Sequence, residues 1–183
     1  MMVGERIEKF ERMMPFIRED TLRKLIDGGF FTAPASTKYH GNYEGGLFDH
    51  SWKVAKTLVW LTEHNRLTWD NPNSPLIVGM FHDICKMDCY KREVMGWAGT
   101  TPIHSDTYEY TEDTLYKGHG DKSVIVLSSL LKLTPEEVAC IRYHMGAFTD
   151  REEWKYYTRA VKEFPNVLWT HHADMITSHI TGV

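Results

Sequence analysis

Apolar positions recur at helical spacing through most of this chain. Ile7, Phe10, Met13 and Met14 mark a helix over residues 5–14, and Leu22, Leu25 and Ile26 mark another over 18–27, closed by Gly28 and Gly29. Residues 29–46 mix Gly, Pro, Ser and Asn with aromatic side chains, the composition of a long ordered loop lying over the core. Leu47, Val54, Leu58 and Leu61 then share one face of a helix running to about His64, and His50 falls on that same inward face. Ser74 and Pro75 have the pattern of an N-cap followed by proline at the first helical position, and the segment LIVGMFHDICK after them is apolar almost all round, as a central buried helix is.

The period changes over residues 88–118. KREVM and DTYEYTED alternate like strands on either side of the turn-rich GWAGTTPIHSD, which predicts a small β-hairpin inserted between helices and suited to act as a lid. Helical signals return over 119–132. Thr134-Pro135-Glu136-Glu137 is a capping box for a helix carrying Val138, Ile141 and His144, and Asp150 with Glu153 forms a second such box before WKYYTRAVKEF. Pro165 opens a last helix with Val167, His171, Asp174, Met175 and Ser178 on one face. The expected fold is an all-α bundle with one inserted hairpin, in a single domain spanning 1–183: N-terminal helices in 1–28 and the main core in 47–181.

Composition narrows the function. With 21 basic against 25 acidic residues and a net charge of −4, the chain lacks the electrostatic footprint for duplex nucleic acid or an anionic membrane. No apolar run reaches the roughly 18 residues of a membrane span, and the charged N-terminus does not resemble a signal peptide, so a cytoplasmic location is expected. Three cysteines, Cys85, Cys89 and Cys140, are too sparse for a disulfide framework and suit a reducing compartment. Oligomeric state is not encoded in any of these features.

Ten histidines in 183 residues change the picture more, because imidazole is the commonest metal ligand. His82 and Asp83 end the most apolar helix. His50, His119, His144 and Asp174 each lie on the inward face, or at the start, of a different helix. One or two such groups are satisfied by hydrogen bonds in many cores. Six ionisable side chains directed inward would cost several kcal/mol each without a cation to pair them. Neutral imidazoles and carboxylates are donors that transition metals accept, so convergence of these helices on a metal centre is the expected explanation.

In order, the blocks GGLFDHSWKVA at 45–55, FHDICK at 81–86, TEDTLYKGHGDKS at 111–123, CIRYHMG at 140–146 and HHAD at 171–174 resemble the HD superfamily of metal-dependent phosphohydrolases, and in particular the HD domain of YhaM-type 3′-5′ exoribonucleases. The likeness spans most of the chain. It departs at Met145, in the MITS run after Asp174 and in the lack of a preceding OB-type domain, departures that point away from RNA processing. The resemblance implies an HD-domain helical bundle, with His50, His82, Asp83 and Asp174 as one metal site, His119 and His144 completing a second, and Asp83 bridging the two. It implies one or two divalent transition-metal ions (Mn, Fe, Ni, Co or Zn), and hydrolysis of a phosphoester by metal-bound hydroxide with Asp83 as the central catalytic carboxylate.

Lys86, one turn after His82, faces the same pocket and is the candidate phosphate clamp. Lys122 is a weaker candidate, for which a solvated surface position is the favoured alternative. The expected substrate is a small phosphorylated molecule: a nucleotide, a short oligonucleotide or a cyclic dinucleotide. Two other functions share the ligand order, a di-iron oxygenase of the same fold and a catalytically silent nucleotide-binding module. The aromatic loop residues Phe30, Phe31, Tyr39, His40 and Tyr43 either stack a base or cover the core, with covering favoured. His64, His104 and His179 are expected on the surface. His171 is expected to orient a ligand without being one.

Overall fold

A computed structural model describes residues 1–111 and 114–181. Eight α-helices occur among the described residues: α1 (Val3–Met13), α2 (Glu19–Asp27), α3 (Gly46–Asn65), α4 (Ser74–Phe81), α5 (Gly120–Ser128), α6 (Pro135–Arg142), α7 (Trp154–Glu163) and α8 (Asn166–Ile176). Between α4 and α5 comes an antiparallel hairpin of β1 (Tyr90–Ala98) and β2 (Thr101–Tyr110). The helix-rich fold with one small hairpin agrees with the periodicity. Among the described residues no helix is long and apolar enough to cross a membrane.

The long helix α3 is the axis of the bundle, with Leu47, Phe48, Val54 and Leu58 all buried. α4 packs against it backbone to backbone. A β-carbon on Gly79 would collide with Ala55 Cα, so only glycine allows this approach, which brings the end of α4 beside His50. A second close crossing occurs where Gly120 meets the Arg142 carbonyl oxygen, bringing the start of α5 to the end of α6. Phe10 of α1 packs edge-on against Phe31 with ring centroids 5.5 Å apart, and Phe30 packs edge-on against Phe31 at 5.4 Å. Phe30 and Phe31 of the 29–46 loop are therefore core residues, whereas Tyr39 and Tyr43 are exposed. This agrees with the covering role for the two phenylalanines.

Several local expectations are corrected. The apolar segment after Pro75 is not one continuous helix: α4 ends at Phe81, and Ile84–Asp88 continues as a tighter 3-10 stretch, leaving His82 and Asp83 at the break. Ser74 does not cap α4. It is already helical, and its hydroxyl donates instead to Glu137 Oε1 at 2.7 Å. The Thr134 capping box forms in full, with Glu137 N donating to Thr134 Oγ1 at 3.1 Å and Thr134 N donating to Glu137 Oε2 at 2.8 Å. The Asp150 box does not form, because Glu153 accepts from the Arg142 guanidinium at 2.9 Å and a 3-10 turn replaces the first helical turn. His144 lies just beyond α6 and His119 just before α5, and α5 ends at Ser128, short of 132.

The strands run through most of the segment GWAGTTPIHSD. Only Gly99 and Thr100 lie outside them, with Gly99 at φ 66°. Trp97, Thr101 and Ile103 favour extended backbone, and the ladder opposite supplies the hydrogen bonds that a loop would have left to water.

Candidate metal centre

Five chain segments converge at one end of α3. His50 comes from the first turns of α3, His82 and Asp83 from the break after α4, His119 from the start of α5, His144 from the turn after α6 and Asp174 from α8. His50, His82 and His144 are fully buried and Asp83 nearly so. The structure brings all six candidate ligands of the sequence together.

Local backbone geometry aims the imidazoles. His82 Nδ1–H donates to the Gly79 carbonyl at 2.9 Å, and His144 Nδ1–H donates to the Ile141 carbonyl at 2.7 Å. In each case the histidine follows a helix end and takes the carbonyl three residues back. A carbonyl only accepts, so both rings carry their proton on Nδ1 and direct an Nε2 lone pair inward.

Around the first group, His50 Nε2 is 3.2 Å from His82 Nε2 and 3.3 Å from Asp174 Oδ1, and His82 Nε2 is 4.0 Å from Asp174 Oδ1. Asp83 Oδ2 lies 3.7 Å from His50 Nε2 and 3.5 Å from His82 Nε2. Donors bound about 2.1 Å from one ion at near-tetrahedral or octahedral angles sit about 3.0–3.5 Å apart, close to these separations. The other oxygen of Asp83 faces the second group, with Oδ1 2.6 Å from His119 Nε2 and 3.4 Å from His144 Nε2. One carboxylate thus divides its oxygens between two pairs of histidines.

The electrostatics favour a cation. Burial is the largest influence on His82 and lowers it to about 3 despite the neighbouring carboxylates, so its imidazole is neutral at physiological pH. Burial pushes Asp83 upward, but Lys86, His82 and His119 together outweigh it and hold the carboxyl well below the usual range. For Asp174, burial is likewise outweighed, chiefly by His50 and His82. Burial also lowers His119, whereas His144 is raised because Asp83 outweighs its burial. Charged carboxylates beside the neutral His82 imidazole are the protonation state that a metal requires. His144 Nε2 supplies a direct test of fit. It is buried and makes no hydrogen bond of acceptable geometry, a position that costs free energy unless a ligand engages the nitrogen. Buried groups made of His50, His82 and Asp174, of His82, Asp83 and His144, and of Asp83, Cys85 and His119 can each hold a metal ion.

Cys85 was not singled out as a site residue by motif spacing. Its Sγ lies 3.6 Å from His119 Nδ1, and burial raises its thiol to about 12, so it stays protonated and supports the His119 ring from behind. Its position between Asp83 and Lys86 in FHDICK was the available signal. His40, assigned from sequence to the covering loop, lies tilted against His50 with ring centroids 4.9 Å apart and reaches the metal pocket. Ser178 donates to Asp174 Oδ1 at 3.0 Å. His171 Nδ1–H donates to the His144 carbonyl at 2.9 Å, so it touches the ligand turn through the backbone. His64, His104 and His179 are exposed, although His179 also reaches the pocket rim.

A pocket of about 200 Å³ opens onto the centre, lined by Asp83, Lys86, His119 and Asp174 together with Met145 and Phe148. Lys86 Nζ lies in it, 2.6 Å from Asp83 Oδ2, and this pairing outweighs burial and keeps the ammonium charged. Among the described residues no hairpin residue lines this pocket, which corrects the expectation of a lid over the metal centre. Lys122 is also corrected. It is only 3% exposed, paired with Asp88 and 3.4 Å from Cys89 Sγ, because α5 packs its stem against the 3-10 stretch. Comparison of the chain with protein families, curated proteins and solved structures finds no match.

Proposed function

We propose that the chain is a metal-dependent phosphohydrolase or phosphodiesterase of the HD superfamily, acting on a nucleotide or short oligonucleotide. The observation that carries this reading is the division of Asp83 between its two pairs of histidines, 3.5 and 3.7 Å from Oδ2 and 2.6 and 3.4 Å from Oδ1. A carboxylate so placed can bridge two cations, and few other roles explain an anion surrounded by this many inward imidazoles. His50, His82, Asp83 and Asp174 would hold one ion, and Asp83, His119 and His144 the other.

Bound divalent ions supply a hydroxide nucleophile at neutral pH and stabilise charge on the attacking and leaving oxygens. The residues of this chain do the rest. Asp83 anchors the Lys86 ammonium at 2.6 Å, and the remaining N–H bonds of that ammonium can reach phosphate oxygens in the pocket. His119, with 35% of its side chain exposed, forms part of the pocket wall, whereas His82 and His144 stay shielded from water. Met145 and Phe148 add apolar surface to the pocket lining. The ligand likeness to di-iron oxygenases remains at the level of residue type, whereas the cation of Lys86 beside the pocket favours an anionic substrate.

The test is metal analysis of protein purified without chelator, followed by phosphatase and phosphodiesterase assays with nucleotides and short oligonucleotides under each divalent ion. Metal-dependent turnover supports the proposal. Loaded protein that hydrolyses no phosphoester under any ion defeats it.

A further inference from the structure

A second and larger cavity, of about 450 Å³, adjoins the metal pocket, and Lys86 and His119 line both. Its other walls come from the hairpin base and the segment leading into α5: Tyr90, Tyr110, Leu115, Tyr116, Lys117 and Lys122. We infer that this cavity receives the base and sugar of the substrate, with the scissile phosphate reaching past Lys86 and His119 to the metal centre. The inference rests on the phosphoester reading and names the part of the substrate that the reading leaves unplaced.

Size and chemistry both point to a neutral aromatic group. The metal pocket, at about 200 Å³, lies below the range of roughly 300–1,000 Å³ usual for ligand sites, whereas the adjoining cavity falls within it. Of its three lysines, Lys86 is taken up by Asp83 and the scissile phosphate, and Lys122 is paired with Asp88. A second highly charged group, such as a polyphosphate tail, would find only the exposed Lys117. Aromatic surface is abundant by contrast. Tyr90 and Tyr110 pair edge-to-face across the hairpin with centroids 6.2 Å apart and planes at 72°, and both line the cavity. Tyr110 is 62% and Tyr116 40% exposed, apolar surface that a planar base would cover. The hairpin thus acts beside the metal pocket instead of over it.

The experiment is a nuclear magnetic resonance titration of the metal-free protein with adenosine, guanosine, cytidine and uridine, which carry no phosphate and have no reason to seek the metal ligands. At least one nucleoside is expected to shift the amides of Tyr110, Leu115, Tyr116 and Lys117. In Tyr110→Ala/Tyr116→Ala its affinity should fall by about tenfold, the size of a lost stacking contact, and Tyr110→Phe/Tyr116→Phe should restore it. Both side chains are well exposed, so neither pair of changes threatens the fold. Absence of nucleoside shifts, shifts confined to Met145, Phe148 and Met175, or unaltered affinity in the alanine pair overturns the assignment. Nucleotide turnover accompanied by any of those results overturns the cavity alone and leaves the reaction standing. Nucleoside binding at the tyrosines without hydrolysis of any nucleotide upholds the cavity and removes the phosphoester reading.

Discussion

Lys86 Nζ and Asp83 Oδ2 lie 2.6 Å apart, three residues from each other on the tight turn that follows α4. The same oxygen faces His50 and His82, so the ammonium and a metal ion compete for one side of a single carboxylate. Under the proposed function Lys86 would bind the substrate's anion and also temper the charge of the centre.

Replacing Lys86 with Ala should leave metal content unchanged or higher while kcat/KM falls by about 10²–10³, the cost of losing one charge-stabilising donor at the reacting group. Metal analysis beside steady-state kinetics on nucleotides separates the two effects. A variant with wild-type kcat/KM on every substrate would make Lys86 a purely structural partner of Asp83.

Asp83→Ala should behave in the opposite way. It removes the one side chain in contact with His119 and Lys86 and near His50, His82 and His144, so metal affinity should drop by more than about 100-fold, beyond the loss typical of a supporting residue. Turnover should vanish with it. Retention of bound metal at wild-type stoichiometry, measured after dialysis, contradicts this.

Metal removal should not unfold the protein. The core around Phe10, Phe30, Phe31, Phe48 and Phe81 is built from apolar side chains and contains none of the six candidate ligands, so chelated protein should keep its helical circular dichroism. Adding manganese or zinc at about 100 times Kd should then stabilise it by about 2.7 kcal/mol, seen as a concentration-dependent rise in Tm. A Tm indifferent to every divalent ion would count against a metal site here.

Gly79→Ala tests the framework behind the site. The new β-carbon would meet Ala55 Cα on α3, so the helices must separate. Overpacking of this kind costs about 1–3 kcal/mol, a fall of roughly 2–12 °C in Tm for a domain of this size. Because His50 and His82 sit on either side of that contact, metal affinity should fall along with stability. An unchanged melting curve would show that the α3–α4 approach is not close.

The helices were legible because their signal is local. Leu47, Val54, Leu58 and Leu61 at helical spacing define α3 whatever lies around it, and the Thr134 box forms because both of its partners are within four residues of chain. Residue types likewise marked the candidate ligands, since His50, His82, Asp83, His119, His144 and Asp174 are chemically conspicuous on apolar helices. Side chains with a choice of partner were another matter. Ser74 and Glu153 had the right neighbours for capping, yet Glu137 and Arg142 arrived from distant segments and engaged them instead.

By itself the sequence determined where most helices lie, that a hairpin interrupts them, and which side chains carry metal-binding chemistry, because each depends on neighbours a few positions away. Tertiary structure alone decided that Lys122 is buried against Asp88, that the hairpin base walls a second cavity rather than closing the first, and that Asp83 turns one oxygen to each pair of histidines. Those outcomes depend on the crossings at Gly79 and Gly120, where backbones meet without a β-carbon between them and set separations of a few ångströms among residues up to 124 positions apart, as His50 and Asp174 are.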